Sequence, residues 1–376
     1  VFMPRYSRSS LMTFMLAEVL AQALSQINSP AQRSRQGHTR VPRQLNSITL
    51  TVPPGMPQAE RSILNERMLQ AIGLVWKSLG WHAGEEDPHE KEGVSPRTPI
   101  PSIRVEWDEA SCGQLVYLYT EVNENFAGHP EEFFDTIARP DKTDRERITL
   151  ATIDIGGGTT DLVITDYRLD RAGNTGSGSN VHIVPEQRFR DGFKVAGDDI
   201  LLDVIQDFIL PSFEKALQNA GVRAPDSLMS RLCGDESVSA QDVILRQQLN
   251  LQVFSPLGLA LLKAYEHYDP QVPQEVTPQS YRQLLGDHAI SLTVLEYVNA
   301  AVRRDVGGQS NFDLYEAQIS FDLQKLHAAF LNDQINITKI LGALCEVVAQ
   351  YPCDVLLLTG RPSRLPGIQA FIRKVL

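Results

Sequence analysis

The stretch that decides the fold is TLATIDIGGGTTDLVITDY, residues 149–167. An apolar, β-branched run ends at Ile155, three consecutive glycines follow, and a second apolar run begins at Leu162. Two such runs joined by a short glycine turn predict a β-hairpin. An ordinary hairpin turn needs only one or two glycines. Three in succession indicate that something approaches the backbone closely.

The chemistry of this turn favours a magnesium nucleotide. Peptide N–H groups that no side chain covers form an anion-binding concavity. Asp154 and Asp161 flank the turn, and carboxylates can hold a hydrated Mg²⁺ that bridges to a phosphate. The alternative is a structural glycine turn with two solvated aspartates, which the order D-x-GGG-T-T-D between two apolar strands disfavours. The stretch is not a Walker A loop or a Rossmann fingerprint, because neither GK[ST] nor GxGxxG is present.

Composition restricts the class of protein. A chain of 376 residues with 42% hydrophobic and 22% charged residues is globular and long enough for two or more lobes. The net charge of −11 disfavours a nucleic-acid or anionic-membrane binder. The four cysteines are widely spaced without a CxxC pair, which predicts free thiols in a cytoplasmic protein and neither a disulfide framework nor a metal site.

The start of the chain predicts an amphipathic helix and no membrane span. Residues 11–27 are apolar but interrupted by polar side chains, and no run of 18 apolar residues occurs anywhere. The chain begins at Val1 and ends in a predicted helix, which suggests a fragment of a longer protein.

Several segments between these landmarks have a clear character. Residues 28–46 form a basic insertion with no aromatic side chain to stack a base, which favours a solvated loop over nucleic-acid binding. Residues 82–101 are charged and proline-rich, which predicts an exposed insertion or linker. Residues 125–147 are polar, charged and proline-containing, which predicts a further insertion before the hairpin. Residues 181–185 predict a strand, and residues 200–217 predict a long helix.

The end of the chain predicts one wall of a ligand crevice. Residues 354–359, DVLLLT, predict a strand, Gly360 begins a turn, and a helix is expected to start near Gly367. A strand, a glycine turn and a helix N-terminus in this order are typical of a ligand crevice at the edge of a sheet.

The order of these elements resembles the nucleotide-binding domain of DnaK-type (Hsp70) heat-shock chaperones, in the actin/Hsp70/sugar-kinase ATPase superfamily. The likeness covers residues 11–376. Its most specific parts are DIGGGTTD at 154–161, similar to the second phosphate loop, and LTGRPSRLPGIQAFI at 358–372, similar to the adenosine motif. Supporting parts are TLTVPPGMPQAER at 49–61, VEWDEASCGQLVY at 105–117 and VAGDDI at 195–200.

Within that superfamily, the sequence is similar to the bacterial virulence-factor SrfB family. YRLD after the hairpin and RFRDGFKVAGDDI at 188–200 carry this narrower likeness.

The resemblance implies an α/β, actin-like two-lobed ATPase fold with ribonuclease H-like sheets, here N-terminally truncated. Residues 1–137 would be the rest of the first lobe. Residues 138–200 and 321–376 would form the second lobe, and residues 201–320 a small helical subdomain over the cleft.

The resemblance also implies a set of site residues. The implied catalytic residues are Glu109, Asp154 and Asp161, and the two aspartates would hold Mg²⁺ through water. The implied nucleotide-binding residues are Gly156, Gly157, Gly158, Thr159, Thr160, Gly197, Asp198, Gly360, Arg361 and Arg364.

Three features depart from the family pattern. The first phosphate hairpin, expected before Tyr6, is missing. Arg361 stands where the adenosine motif has its second glycine, so it would block the adenine or stack on it. Lys263 and Glu266 occur in the reverse of the order expected for adenine contacts.

The leading functional hypothesis is Mg-ATP binding with slow hydrolysis, which drives an open–closed switch that an unidentified protein partner recognises. The competing hypothesis is a non-catalytic scaffold with a degenerate nucleotide site, with this chain alone inactive. A small-molecule kinase of the same superfamily is a third hypothesis, although no sugar pocket with a catalytic aspartate is evident.

Overall fold

The computed structural model describes residues 5–35, 40–81, 98–171, 181–234, 239–286, 288–308 and 311–376. The chain divides into two compact units, Val1–Val116 and Tyr117–Leu376. Residues 82–97, which make up most of the insertion predicted at 82–101, lie outside the described residues.

The first unit is built on two long helices. Its elements are α1 (Arg8–Ile27), α2 (Pro30–Ser34), β1 (Ser47–Thr49), α3 (Gln58–Ser78) and β2 (Ser102–Arg104), and α4 (Glu109–Thr120) runs on into the second unit. Leu16, Leu20 and Leu24 recur at helical spacing on α1 and pack against a buried face of α3 that includes Trp76. Strands β1 and β2 pair in parallel.

Helix α1 begins at a serine cap, because the Ser7 hydroxyl accepts a hydrogen bond from the Ser10 N–H at 3.1 Å. Among the described residues, α1 alone has the length and apolar composition of a helix that could cross a membrane. Core helices and signal sequences share both properties, so this is weak evidence. The absence of a membrane span stays a prediction.

The second unit contains one four-stranded sheet and most of the helices. Its first elements are α5 (Pro130–Ile137), β3 (Arg147–Ile155), β4 (Thr160–Asp170), β5 (His182–Phe193), α6 (Gly197–Val204), α7 (Leu210–Asn219), α8 (Pro225–Cys233), α9 (Ala240–Leu249) and α10 (Ser255–Tyr265). There follow β6 (Gln279–Ser280), α11 (Tyr281–Leu285), α12 (Leu292–Asp305), β7 (Gln318–Ile319), α13 (Leu323–Leu331), α14 (Asn336–Gln350), β8 (Val355–Thr359) and α15 (Pro366–Val375). Three π-helical turns, Glu121–Asn125, Ile205–Ile209 and Asn250–Phe254, extend α4 and join α6 to α7 and α9 to α10.

The main sheet of the second unit is mixed, with the strand order β5-β4-β3-β8. Strands β3 and β4 form the antiparallel hairpin that the sequence predicts, with Asp154 opposite Asp161 and Ile155 opposite Thr160. Strand β8 pairs with β3 in parallel and places Thr359 beside Asp154. The α/β class is thereby confirmed.

Both faces of this sheet are covered. Ala151, Ile153 and Ile155 belong to the large core formed with the helices that follow β5. Ile148 and Leu150 belong to a second core with Phe133 and Phe134. The expectation that residues 125–147 form only a polar insertion is therefore wrong in part, because α5 buries both phenylalanines completely.

The start of β8 is held by one buried carboxylate. Asp354, whose side chain is fully buried, accepts hydrogen bonds from the Arg139 N–H at 2.9 Å, the Thr149 N–H at 2.7 Å and the Lys142 ammonium at 2.5 Å. This carboxylate therefore fixes both the beginning of β3 and the loop before it.

Replacing Asp354 with alanine should lower the free energy of unfolding by about 3 kcal/mol, because it leaves a half-buried ammonium and two backbone N–H groups without their acceptor. Urea unfolding followed by far-UV circular dichroism measures the change. The matched control is Asp141→Ala in the same loop, because the Asp141 side chain is 71% exposed. This variant should lower the free energy of unfolding by less than about 0.5 kcal/mol. Equal effects of the two variants would contradict this account of the loop.

One hydrogen-bonded pair links α10 to α13. The Tyr265 hydroxyl accepts a hydrogen bond from the backbone of Gly367 at the start of α15 and lies 2.8 Å from His327 Nδ1. Burial lowers the pKa of His327 below its usual 6.5. The neutral imidazole, which can accept the tyrosine proton, is therefore the form that the fold prefers.

This preference predicts a pH dependence of stability. Below about pH 6.5 the unfolded chain binds the His327 proton more readily than the folded chain, so stability is lost as the pH falls through that range. Relative to His327→Gln, the natural protein should become less stable to urea between about pH 7.5 and pH 5.5. A constant difference between the two proteins across this range would show that His327 is not coupled to folding.

Candidate functional site

The glycine turn of the β3–β4 hairpin presents bare backbone. The Gly156 N–H donates to the Thr159 carbonyl at 2.8 Å and closes the turn. Gly157 and Gly158 are exposed. Within the described part of the chain, the N–H groups of Gly157, Gly158 and Thr159 donate no hydrogen bond. The turn therefore offers three adjacent donors of the kind that bind anions.

The two predicted metal ligands stand at the base of this turn. Asp154 and Asp161 are direct cross-strand partners, so both side chains project from the same face of the sheet. Asp154 is half-buried and accepts from the Thr359 hydroxyl at 2.7 Å. Asp161 is only 2% exposed and accepts from the Thr159 hydroxyl at 3.1 Å. Asp154 is thus the more accessible carboxylate of the pair.

The start of α6 is docked onto the turn through main-chain atoms. The Gly197 N–H donates to the Gly156 carbonyl at 3.0 Å, and the Asp198 N–H donates to the Gly157 carbonyl at 2.8 Å. The Asp199 carboxylate caps the helix by accepting from the Ala196 N–H at 2.8 Å. The structure therefore brings together Gly156, Gly157, Gly197 and Asp198, although two helix N–H groups are already used within the protein.

The turn after β8 approaches the same place. Gly360 has φ +79° and ψ 154°, a conformation largely restricted to glycine. A Cβ atom built on it would lie 1.9 Å from the Ile155 carbonyl oxygen and 3.0 Å from Asp154 Oδ1. The Pro362 ring lies 3.1 Å from where a Gly197 Cβ atom would be. Three chain turns thus meet at one end of the sheet.

These turns border a cleft of about 770 Å³ within the second unit. The hairpin turn, the start of α6, helix α10, the end of α11 and the turn after β8 line it. Its apolar lining residues are Ile200, Leu201, Pro256, Leu259, Ala260, Leu262, Leu284, Leu285, Pro362 and Leu365. A largely apolar cleft of this size with few polar groups is typical of a small-molecule site.

The charged and titratable side chains that line the cleft are Lys263, Glu266, Asp198, Arg361 and His288. Arg361 Nε donates to Glu266 Oε1 at 3.1 Å, which pairs the two departures from the adenosine pattern with each other. The guanidinium is 73% exposed, whereas Glu266 is 14% exposed. Sequence reasoning missed Leu284, Leu285 and His288, because the short helix α11 and the residues after it carry no recognisable motif.

Some of the predicted site residues do not line this cleft. Asp154, Gly158, Thr159, Thr160 and Asp161 lie in the hairpin beside it, and Gly360 packs on Ile155. Arg364 is exposed and does not line it either.

The remaining predicted residue, Glu109, lies in the first unit. It is exposed and opens α4 next to Asp108, whose carboxylate accepts from the Ser111 N–H at 2.7 Å and so caps the helix. Its role in catalysis stays a prediction. Burial, together with Asp108 and Glu109, raises the pKa of the Cys112 thiol, which favours an unreactive cysteine.

The residues present fit a magnesium-bound phosphate better than a tightly held metal ion. Among the described residues, no group of three or more His, Cys, Asp or Glu side chains could hold a metal. Two carboxylates beside three donor N–H groups suit a hydrated cation whose remaining ligands are phosphate oxygens. No direct protein cage for a metal is required by this arrangement.

The fold and the site define a class: an α/β protein in which a glycine hairpin, a helix start and a strand-end turn meet beside an apolar cleft. The chain belongs to the family described as Virulence factor SrfB, which it matches over residues 1–376. This confirms the narrower likeness seen in the sequence. A comparison with curated proteins gives no match.

Because Gly360 lies so close to the Ile155 carbonyl, adding a single methyl group at this position should destabilise the fold. Gly360→Ala should lower the free energy of unfolding by at least about 2 kcal/mol, because the backbone conformation and the contact with Ile155 are both unfavourable for alanine. The matched control is Gly158→Ala, where an added Cβ atom meets nothing within 4 Å. Its effect should be within about 0.5 kcal/mol. Equal thermal unfolding temperatures for the two variants would contradict the geometry of this turn.

Proposed function

We propose that this protein binds Mg-ATP in the cleft of the second unit, hydrolyses it slowly and uses the bound state as a conformational switch. The observation that carries the proposal is the meeting of three chain turns, at Gly157, Gly197 and Gly360, beside one apolar cleft, with the free N–H groups of the hairpin turn among them. A phosphate chain needs backbone donors that no side chain covers, and a base needs an apolar pocket. The two requirements lie side by side here.

Each part of the site has a role in this proposal. The N–H groups of Gly157, Gly158 and Thr159 would bind phosphate oxygens, and the apolar lining from α10 and α11 would hold the base. Asp154, with Asp161 behind it, would hold the hydrated Mg²⁺. When bound, Mg²⁺ neutralises the charge that develops on the phosphates as the terminal bond breaks. The aspartates would keep the cation beside the turn, and the cation would relieve the repulsion between the two carboxylates across the strands.

The likeness to Hsp70-type ATPases supplies a fold and further residue roles for this proposal. The chain would adopt the actin-like, two-lobed ATPase fold of the Hsp70 type, with residues 201–320 as the mobile subdomain. Glu109 would orient the attacking water, and Arg364 would stack on the adenine. ATP and ADP contact the hairpin differently, and this difference would bias the subdomain between open and closed states that a protein partner distinguishes.

A second candidate function has one specific observation in its favour. The ion pair between Arg361 and Glu266 places a guanidinium on the cleft lining where the adenosine motif has a glycine. A scaffold that no longer binds nucleotide would tolerate such a pair. The function of the protein would then lie in its surfaces, and the cleft would be a remnant.

Calorimetric titration of ATP with Mg²⁺ tests the leading proposal. Asp154→Asn should weaken Mg-ATP binding about 10–100-fold, because a carboxylate that holds the hydrated cation is lost. Binding of ATP without Mg²⁺ should change little. The matched control is Asp144→Asn, an exposed carboxylate before β3. No heat at millimolar Mg-ATP for the natural protein would contradict the proposal.

The Arg361→Gly variant distinguishes the two candidate functions. If the ion pair only obstructs a competent site, the variant should bind Mg-ATP about tenfold more tightly than the natural protein, because the base no longer has to displace the Arg361 side chain. Arg361→Lys keeps the charge and serves as the control. If neither the natural protein nor the glycine variant binds nucleotide, the scaffold function is supported.

A further inference from the structure

A second cavity, of about 620 Å³, lies in the first unit and has no part in the proposed nucleotide site. Side chains from the C-terminal half of α1, from α2, from the end of α3 and from residues 42–44 line it. Its volume is within the range of about 300–1,000 Å³ that small-molecule sites occupy.

Two arginines of the basic stretch 28–46 supply the charge of this cavity. The sequence predicts a solvated loop there, and the structure divides its four arginines into two groups. Arg35 and Arg40 are exposed, whereas Arg33 and Arg43 are half-buried and line the cavity. The basic stretch is therefore partly a wall of a cavity.

Hydrogen bonds hold Arg43 in place, whereas the Arg33 side chain has an unused donor. The backbone N–H of Arg43 donates to Asn28 Oδ1 at 2.8 Å, and the Arg43 side-chain Nη2 donates to the Gln32 carbonyl at 3.3 Å. Arg33 Nε is buried and has no hydrogen-bond partner in the described part of the chain. Neither guanidinium forms an ion pair with a carboxylate of the described residues.

The charge of the cavity lining favours an anion. Arg33 and Arg43 carry the charge among the described lining residues, and no carboxylate is found among those lining residues. Guanidinium groups that have no acidic partner among the described residues bind carboxylate or phosphate oxygens well, because their planar donor forks match both groups.

The rest of the cavity wall is largely apolar. Leu24 of α1, Val75 and Leu79 at the end of α3, and Trp81 supply this surface. The Trp81 ring meets Trp76 edge to face with centroids 5.2 Å apart, which anchors its position. A ligand that satisfies this cavity must therefore combine an anionic group with an apolar body.

We propose that this cavity binds an amphipathic anion, an acyl chain of medium length that ends in a carboxylate or a phosphate. Arg33 and Arg43 bind the anionic group, and the chain packs between α1 and α3 against Trp81. The proposal is independent of nucleotide binding, because all of its residues belong to the first unit.

Tryptophan fluorescence of the full chain provides a direct test. The three tryptophans, Trp76, Trp81 and Trp107, all lie in the first unit, and Trp81 lines the cavity. Dodecanoate below its micellar concentration should change the emission saturably. Dodecyl phosphate tests the other head group, while dodecanol and inorganic phosphate test the tail and the charge alone. Dodecanol and inorganic phosphate should each bind at least roughly tenfold more weakly than dodecanoate.

Matched variants locate the site. Arg33→Gln should weaken dodecanoate binding about tenfold, whereas Arg35→Gln, an exposed neighbour that does not line the cavity, should leave it unchanged. Ser25→Glu introduces a carboxylate into the lining and should abolish binding, whereas Gln26→Glu adds the same charge to the next, non-lining residue and should not. Ser25 and Gln26 are both exposed on α1, so these variants should fold, as far-UV circular dichroism would verify.

Three results would overturn the proposal. One is a dodecanoate response that does not saturate, or none at all. Another is dodecanol binding as tightly as dodecanoate, which would show an unspecific apolar surface. The third is an equal loss in Arg33→Gln and Arg35→Gln, or in Ser25→Glu and Gln26→Glu, which would show general charge attraction.

Discussion

The candidate site depends on main chain packed directly against main chain. Two N–H groups at the start of α6 donate to the carbonyls of Gly156 and Gly157, and Gly360 lies against the Ile155 carbonyl with no room for a side chain. Such contacts fix three turns relative to one another through main-chain atoms. The hairpin donors therefore remain open at the edge of the cleft, which is what binding of an anion requires.

The packing of the second unit keeps this arrangement in place from both faces of the sheet. On one face, α10 lies very close to the α6 segment, because a Cβ atom on Gly258 would be only 2.7 Å from Leu201 and 3.1 Å from Ile205. On the other face, α5 inserts Phe133 and Phe134 over β3. The cleft is thus bordered by elements that a continuous core connects, while the Arg361 side chain on its rim is held by a partly exposed ion pair with Glu266.

Local chemistry determines the parts of the fold that could be predicted from the sequence. Three consecutive glycines between apolar runs specify the hairpin, and Gly360 after an apolar strand specifies the turn that meets it. The core helix α5 could not be predicted, because only Phe133 and Phe134 distinguish it within a polar segment.

Two further features escaped prediction for physical reasons. Strand β5 extends to Phe193, beyond the predicted 181–185, and it lies at the edge of the sheet with mostly exposed side chains. Such a strand lacks the alternation on which prediction relies. The pairing of Arg361 with Glu266 joins residues 95 positions apart, which no local pattern reveals.

Hydrogen–deuterium exchange of the full chain, with and without saturating Mg-ATP, tests the central claim most directly. If the three turns form one phosphate and base site, peptides that cover residues 156–160, 196–200 and 358–366 should gain protection together. Peptides from the first half of α12 should stay unchanged as an internal reference. Protection confined to one of the three turns, or absent from all of them, would contradict the account.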